Sequence, residues 1–114
     1  MKPPAYLFLA GWRVFFWAAG CRAVAAMAVW LWVFWAQARG GDGWIAGTAM
    51  APQLWHAHEM IFGYAGAALG GFFLTAVPNW TGAPPASGRF VAAIFALWLA
   101  GRLAVWLSGL LPAP

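Results

Sequence analysis

The sequence predicts an all-α membrane protein with three transmembrane helices, and three observations support this prediction. Of its 114 residues, 65% are hydrophobic and only 7% are charged, whereas soluble domains carry about 25% charged residues. Three apolar runs are long enough to cross a bilayer, which requires about 20 helical residues. Backbone amides in hydrocarbon need internal partners, and three strands cannot close a barrel, so these runs must be helices.

We interpret residues 1–114 as one transmembrane helical segment with no soluble domain. The predicted helices lie at about residues 14–37, 56–77 and 90–111. The first is interrupted only by Arg22 and the third only by Arg102, and we expect Pro78 to end the second. The glycine-rich loop after the first helix is not expected to be helical throughout. The short, turn-rich loop at 78–89 predicts an antiparallel hairpin of the last two helices.

The few charges give a prediction of topology. Lys2, Arg13 and Arg89 fall on one side of the predicted spans and Arg39 on the other. Because positive residues favour the cytoplasm, the N-terminus is predicted inside and the start of the second helix outside. The net charge of +4 is spread too thinly for a nucleic-acid partner, which needs a clustered basic face. Five tryptophans near the predicted helix ends suit an aromatic belt at the interface: Trp12, Trp35, Trp44, Trp55 and Trp80.

Cys21 is the one cysteine of the chain, which excludes an intramolecular disulfide and a metal site built from several cysteines. Its surroundings, "WAAGC", distantly resemble a lipoprotein cleavage site. The apolar pattern continues well beyond it, however, so a small buried thiol is the favoured interpretation.

The two interior arginines need partners, because an arginine in mid-membrane costs at least ~2.5–3.5 kcal/mol on insertion scales. Arg102 lies about 13 Å from the end of its predicted helix, within reach of Glu59 or of an anionic ligand. Trp98 and Trp106, four residues before and after it, are expected to cover its guanidinium by cation–π contact. Arg22 lies about 12 Å from the opposite face, so we do not expect it to pair with Glu59. One acid cannot neutralise two arginines, so another anion or water is implied.

The stretch "LWHAHEM" places His56, His58 and Glu59 within four residues. Imidazole is the commonest metal ligand and suits iron, copper and zinc. On a regular helix, however, the two histidines point about 200° apart and cannot chelate one metal together. They are candidate metal ligands, and the alternative is that they hydrogen-bond headgroups or water at the interface.

Four glycines follow the histidines on the second helix, at positions 63, 66, 70 and 71, and fall mostly on one face. Small residues allow helices to approach closely in lipid. The pattern favours a packing seam, although the same smooth face would also leave room for a flat cofactor.

Several motifs together resemble one protein family. The segment "WHAHEMIFGYAGAALGGFFLTAVPNWTG" at 55–82 is similar to the signature of the NnrS family, "GWRVFF" at 11–16 is similar to its GFRPFF start, and "LWLAGR" at 97–102 to its third-helix motif. Val14 stands where that start has proline, and an arginine at position 22 is not expected.

Members of this family are bacterial inner-membrane proteins described as binding haem and copper and linked to nitric oxide metabolism and nitrosative stress. The resemblance therefore implies haem and copper as cofactors, with His56 and His58 as metal ligands. Arg102, and secondarily Arg13, would contact carboxylates such as haem propionates. It also implies that the chain is a piece of a bundle of about twelve helices, whose partners are the lipid bilayer and either the remaining helices or another subunit.

Two other functions remain open from the residues alone. Ionisable groups inside a membrane commonly mark transport paths. In this alternative, Glu59, the histidines and Arg102 line a proton or solute path of a transporter or channel. Alternatively, the glycine seam serves only to dock a partner in a non-catalytic packing module.

Overall fold

The computed structural model describes residues 4–43, 45 and 47–111 and confirms the all-α prediction. Three long helices follow one another: α1 (Gly11–Ala38), α2 (Pro52–Thr81) and α3 (Gly88–Trp106), with mean hydropathies of 1.7, 1.7 and 1.6 over their most apolar windows. Each is long and apolar enough to cross a membrane. Short 3₁₀ turns form at Pro4–Leu9 and Ser108–Leu110, and no strand occurs among the described residues.

The helix ends differ from those predicted, and local backbone chemistry explains why. α2 begins at Pro52, where proline suits the first helical turn because the amide it lacks would be unpaired there. The prediction that Pro78 ends α2 is wrong, because the helix continues to Thr81. A proline removes only one amide donor, and the helix ends one turn later at Gly82, whose φ of 67° is left-handed.

α3 ends at Trp106, earlier than residue 111, because the loop between α1 and α2 folds back and binds the residues that follow. The amide of Gly109 donates to the carbonyl of Gly47 at 2.9 Å. Ser108 accepts from the amide of Ala49 at 3.0 Å and donates to the carbonyl of Val105 at 2.8 Å. These bonds satisfy polar groups that a continued helix would have paired internally.

The apolar interior consists of two separate clusters. The first cluster, near the start of α1, is formed by Val14, Phe15, Ala19, Ala67 and Val91. The second cluster, near the end of α1, is formed by Ala26, Val33, Ile45 and Trp55. Arg22 lies on α1 between the two clusters, so the charged part of the interior separates two apolar parts.

The predicted belt comprises five tryptophans, of which the structure describes four. Trp12, Trp35 and Trp80 are exposed near helix ends, as a belt requires. Trp55 is fully buried and packs edge-on against Trp106, with ring centroids 5.3 Å apart. Its assignment to the belt is wrong, because the loop before α2 folds over this end of the bundle. Trp44 lies outside the described residues.

The glycine seam of α2 packs against α1, which confirms the packing interpretation. A Cβ atom added at Gly70 would lie 3.3 Å from the ring of Phe15, and one at Gly71 would lie 2.9 Å from the ring of Phe16. The absence of side chains at these glycines therefore lets the two helices approach closely. α3 packs more loosely against α1, and a groove opens between them.

Candidate functional site: a buried Arg–Glu–Arg cluster

Glu59 is completely buried and begins a π-helical segment of α2, Glu59–Ala65. Single π-helical turns inside α-helices are rare and are frequent at functional sites. One turn below Glu59, a Cβ atom added at Gly63 would lie 2.8 Å from Glu59 Oε2 and 3.3 Å from Arg22 Cγ. The glycine at this position therefore provides the space that the carboxylate and its partner occupy.

Arg22 is the direct partner of Glu59. Its Nε donates to Glu59 Oε2 at 2.6 Å, and its Nη2 contacts the same oxygen. The Arg22 side chain is only 17% exposed, and the centre of its guanidinium lies 5.6 Å from the centre of the Trp106 ring. A carboxylate and an aromatic face therefore both offset the cost of this charge inside the membrane.

The prediction that Arg22 would not pair with Glu59 is wrong, and the helix ends supply the reason. α1 begins three residues earlier than predicted, and α2 begins four residues earlier. At about 1.5 Å per residue, Arg22 lies about 5 Å farther from the start of α1 than predicted, and Glu59 lies about 6 Å farther from the start of α2. The two helices start at opposite faces of the bundle, so the two side chains approach each other. Together these changes bring the carboxylate within reach of the guanidinium.

Arg102 and His58 flank the other carboxylate oxygen. Arg102 Nη1 and His58 Nδ1 each lie 3.7 Å from Glu59 Oε1, close enough for electrostatic attraction but too far for a hydrogen bond. None of these three atoms has a hydrogen-bond partner among the described residues. The expected approach of Arg102 to Glu59 is confirmed. Its depth is smaller than the predicted depth of about 13 Å. Because α3 ends at Trp106, Arg102 lies only four residues, or about 6 Å, from the end of the helix.

The charges of this Arg–Glu–Arg cluster do not balance. Two guanidinium groups surround one carboxylate, which leaves a net charge of +1 when His58 is neutral. Arg102 is the less well satisfied of the two arginines, because its Nε and Nη1 are both buried and unpaired among the described residues. The cluster therefore has capacity for a further anion.

The tryptophans near Arg102 have other partners than the sequence suggested. Trp98 donates from Nε1 to the carbonyl of Phe62 at 3.1 Å, inside the π-helical segment. Trp106 lies over Arg22, as described above. This hydrogen bond connects α3 to the part of α2 that carries Glu59.

The structure places the two predicted metal ligands in different surroundings. The ring of His56 stacks on Trp30 of α1, with centroids 4.4 Å apart and planes inclined by 12°. The ring of His58 lies 4.7 Å from that of Phe62. Both belong to the α-helical turn Pro52–His58, so they project from different sides of α2. Within the described residues, no group of three or more His, Cys, Asp or Glu side chains is suitably placed for a metal ion.

Arg13 lies far from this cluster, at the start of α1. Its guanidinium stacks over the ring of Tyr6 at 4.1 Å and donates to the carbonyl of the same residue at 3.4 Å. Nine residues of α1 separate it from Arg22, a rise of about 14 Å. Any contact of Arg13 with a ligand would therefore be separate from the cluster.

The groove between α1 and α3 leads to the two arginines, and we call it the arginine groove. It has a volume of about 390 Å³. Its wall includes Trp17, Cys21 and Arg22 from α1 and Trp98, Leu99 and Arg102 from α3. The prediction that Cys21 is buried is wrong, because its side chain is exposed. Sequence reasoning missed this groove, since neither helix alone indicates how far apart the two lie.

Comparison with known proteins settles the family. The family description "NnrS protein" matches residues 6–114. The chain belongs to the NnrS family. No curated protein and no solved structure matches it. The match includes all three helices of this NnrS chain and therefore the whole Arg–Glu–Arg cluster.

Proposed function

We propose that this NnrS-family chain is part of a haem- and copper-binding protein of the bacterial inner membrane that acts in nitric oxide metabolism or the response to nitrosative stress. The observation that carries the proposal is the excess positive charge of the Arg–Glu–Arg cluster beside His58, whose buried Nδ1 lies 3.7 Å from the Glu59 carboxylate. Metal-binding histidines commonly direct one ring nitrogen to a carboxylate and use the other nitrogen as the ligand. Haem offers groups that complement both features, since its iron accepts a histidine nitrogen and its propionates are anionic.

The residues fit a haem that is bound by one of the two histidines, because His56 and His58 project from different sides of α2. His58, next to the cluster, would supply a nitrogen ligand to the iron, and Arg102, which lines the arginine groove and has a side chain 12% exposed, would receive a propionate. When bound, the haem would supply a redox-active iron that binds diatomic gases. The protein's own contribution is to hold the propionate and to keep the site apolar through the surrounding tryptophans.

The fit to copper is less complete. Copper sites in proteins usually combine several nitrogen or sulfur donors, and the described residues bring no three candidate donors together. His56, stacked on Trp30, would supply one donor to a site completed by other helices or another subunit. This agrees with the expectation that the chain is a piece of a larger bundle.

We further propose that the N-terminus lies in the cytoplasm and that the Pro52 end of α2 faces the periplasm, as the distribution of Lys and Arg indicates. The histidines would then be accessible to metal delivered from the periplasmic side. Single cysteines introduced in the loops and labelled with a membrane-impermeant maleimide in a Cys21→Ala background test this topology. Labelling of the 82–87 loop in intact spheroplasts would contradict it.

The cofactor proposal is tested by the visible spectrum and metal content of the purified protein. We expect a Soret band together with iron and copper. His58→Ala should remove or shift the Soret band, and His56→Ala should lower the copper content. Gln53→Ala, one turn before His56, is the matched control and should change neither. If both histidine variants keep the wild-type band and copper content, the ligand assignment is refuted.

A polar transport path is the second candidate, and one feature favours it. His58 Nδ1 and Arg102 Nη1, both buried, each lie 3.7 Å from the buried Glu59 Oε1, and water can bridge polar contacts of this length. This function predicts proton flux into liposomes that contain a colourless, metal-free protein. Flux that survives Glu59→Gln would exclude it.

A further inference from the structure

The arginine groove combines an apolar wall with a polar floor. Trp17, Trp98 and Leu99 supply apolar surface, while Arg22 and Arg102 bring two guanidinium groups to the same groove. Binding pockets for small molecules typically have this composition, mostly apolar with a few placed polar groups. A ligand that matches the groove must therefore have an apolar body and one polar end.

The charge of the polar end follows from the Arg–Glu–Arg cluster. Glu59 compensates one of the two guanidinium groups, and Arg22 makes the direct hydrogen bond to it. The remaining single positive charge belongs to Arg102, whose Nε and Nη1 have no hydrogen-bond partner among the described residues. A buried charge is stable only when it is paired, so the complementary ligand carries one negative charge.

The dimensions of the groove restrict the apolar body. A volume of about 390 Å³ lies at the small end of the range for ligand pockets and suits one chain or one ring system rather than the two chains of a phospholipid. Because Arg102 lies about 6 Å from the end of α3, the anionic end can reach the arginine from the membrane interface.

We propose that the arginine groove between α1 and α3 is a binding site for an amphiphilic monocarboxylate with a single hydrophobic body. Its carboxylate pairs with Arg102, and its body lies between Trp17 and Trp98. The Arg102 side chain lines the groove and is 12% exposed, which leaves room for a charge-assisted hydrogen bond to one carboxylate oxygen. The carboxylate and the proposed haem propionate would compete for Arg102, so binding is measured on the haem-depleted protein.

Cys21 provides a direct reporter of occupancy, because it lines the groove, is exposed and is the one thiol of the chain. We suggest measuring the rate at which N-ethylmaleimide alkylates the purified full-length protein in nonionic detergent, followed by intact mass. The probes are dodecanoic acid and its methyl ester, which shares the same body without the charge. We expect the acid to slow alkylation at least tenfold at saturation and the ester to have little effect.

Two pairs of variants separate the charge from the shape of the groove. Arg102→Gln should raise the concentration of acid needed for protection by about tenfold or more, since hydrogen bonds between charged groups are the strong ones. Arg89→Gln, on an exposed part of α3, should not. Leu99→Trp should fill the groove and slow alkylation without any probe, whereas Leu97→Trp, on the same helix and 73% exposed, should behave as wild type.

Several results would overturn the proposal. Equal protection by acid and ester would show that the groove takes up any apolar molecule. Protection by phosphatidylglycerol in nanodiscs, with none by the acid, would assign the groove to a membrane lipid. Unchanged protection in a folded Arg102→Gln variant would remove the role of the arginine. The groove proposal and the haem proposal can fail separately. Absence of protection by the acid would refute the monocarboxylate site whatever the visible spectrum shows. Absence of a Soret band would refute the haem proposal whatever the thiol assay shows.

Discussion

Glu59→Gln perturbs the centre of the Arg–Glu–Arg cluster with almost no change in volume. Glu59 is fully buried and accepts a hydrogen bond from Arg22 Nε at 2.6 Å, and Asp42 is the only other acid in the chain. The substitution therefore leaves two guanidinium groups without a counter-charge. Breaking a buried ion pair by removing one partner costs roughly 3–5 kcal/mol. We expect the lower end, about 3 kcal/mol, because Arg22 retains 17% exposure and still faces the Trp106 ring.

The free energy of unfolding can be measured by titrating the protein with sodium dodecyl sulfate in mixed micelles and following far-ultraviolet circular dichroism. Arg89→Gln, which removes an exposed charge near the start of α3, is the control and should change the free energy by no more than about 0.5 kcal/mol.

A double-mutant cycle distinguishes loss of the ion pair from a general packing defect. Replacing both partners of a buried pair by neutral residues is often nearly neutral, so Arg22→Gln combined with Glu59→Gln should cost less than the sum of the single changes. We expect a coupling energy of about 1–3 kcal/mol. A Glu59→Gln variant as stable as wild type, or strictly additive single effects, would refute the argument.

Three further substitutions test the packing and the connections of α3. Gly71→Ala should destabilise the protein by about 1–3 kcal/mol, because its Cβ would lie 2.9 Å from a Phe16 ring carbon. The control is Gly101→Ala, which has no atom within 4 Å of the added Cβ and should be neutral or stabilise the protein by up to about 1 kcal/mol. Equal effects of Gly71→Ala and Gly101→Ala in the same unfolding titration would contradict close packing of α2 against α1 at Gly71. Trp98→Phe should cost about 1 kcal/mol, since it removes the donor to the Phe62 carbonyl, and amide hydrogen exchange in the π-helical segment should rise; unchanged exchange would contradict this. Ser108→Ala should accelerate proteolysis of the loop that it binds, and an unchanged cleavage rate would show that the hydrogen bond does not hold the loop.

The parts of the fold that depend on composition and spacing were predictable from the sequence. Three apolar runs gave three helices, and the glycines of α2 indicated close packing that the structure places against α1. The approach of Arg102 to Glu59 was also predictable, because it requires only that both lie near the same end of neighbouring helices.

Features that depend on helix ends or on tertiary folding were not predictable. The pairing of Arg22 with Glu59 requires the early starts of both α1 and α2, which the hydropathy pattern does not fix. The π-helical segment has no recognisable periodicity in a run that is apolar on all sides. The burial of Trp55 depends on a loop whose hydrogen bonds to Ser108 and Gly109 are far apart in sequence. The arginine groove is a property of two helices together.

The most direct test of the proposed cofactor site is a haemin titration of the purified, haem-depleted protein, followed by the Soret band. We predict saturable binding of one haemin per chain in the wild type and in His56→Ala, no saturable binding in His58→Ala and weaker binding in Arg102→Gln. Saturable binding with the same midpoint and band position in wild type and His58→Ala, or a linear, unsaturated response in the wild type, would contradict the assignment of haem to His58 beside the Arg–Glu–Arg cluster.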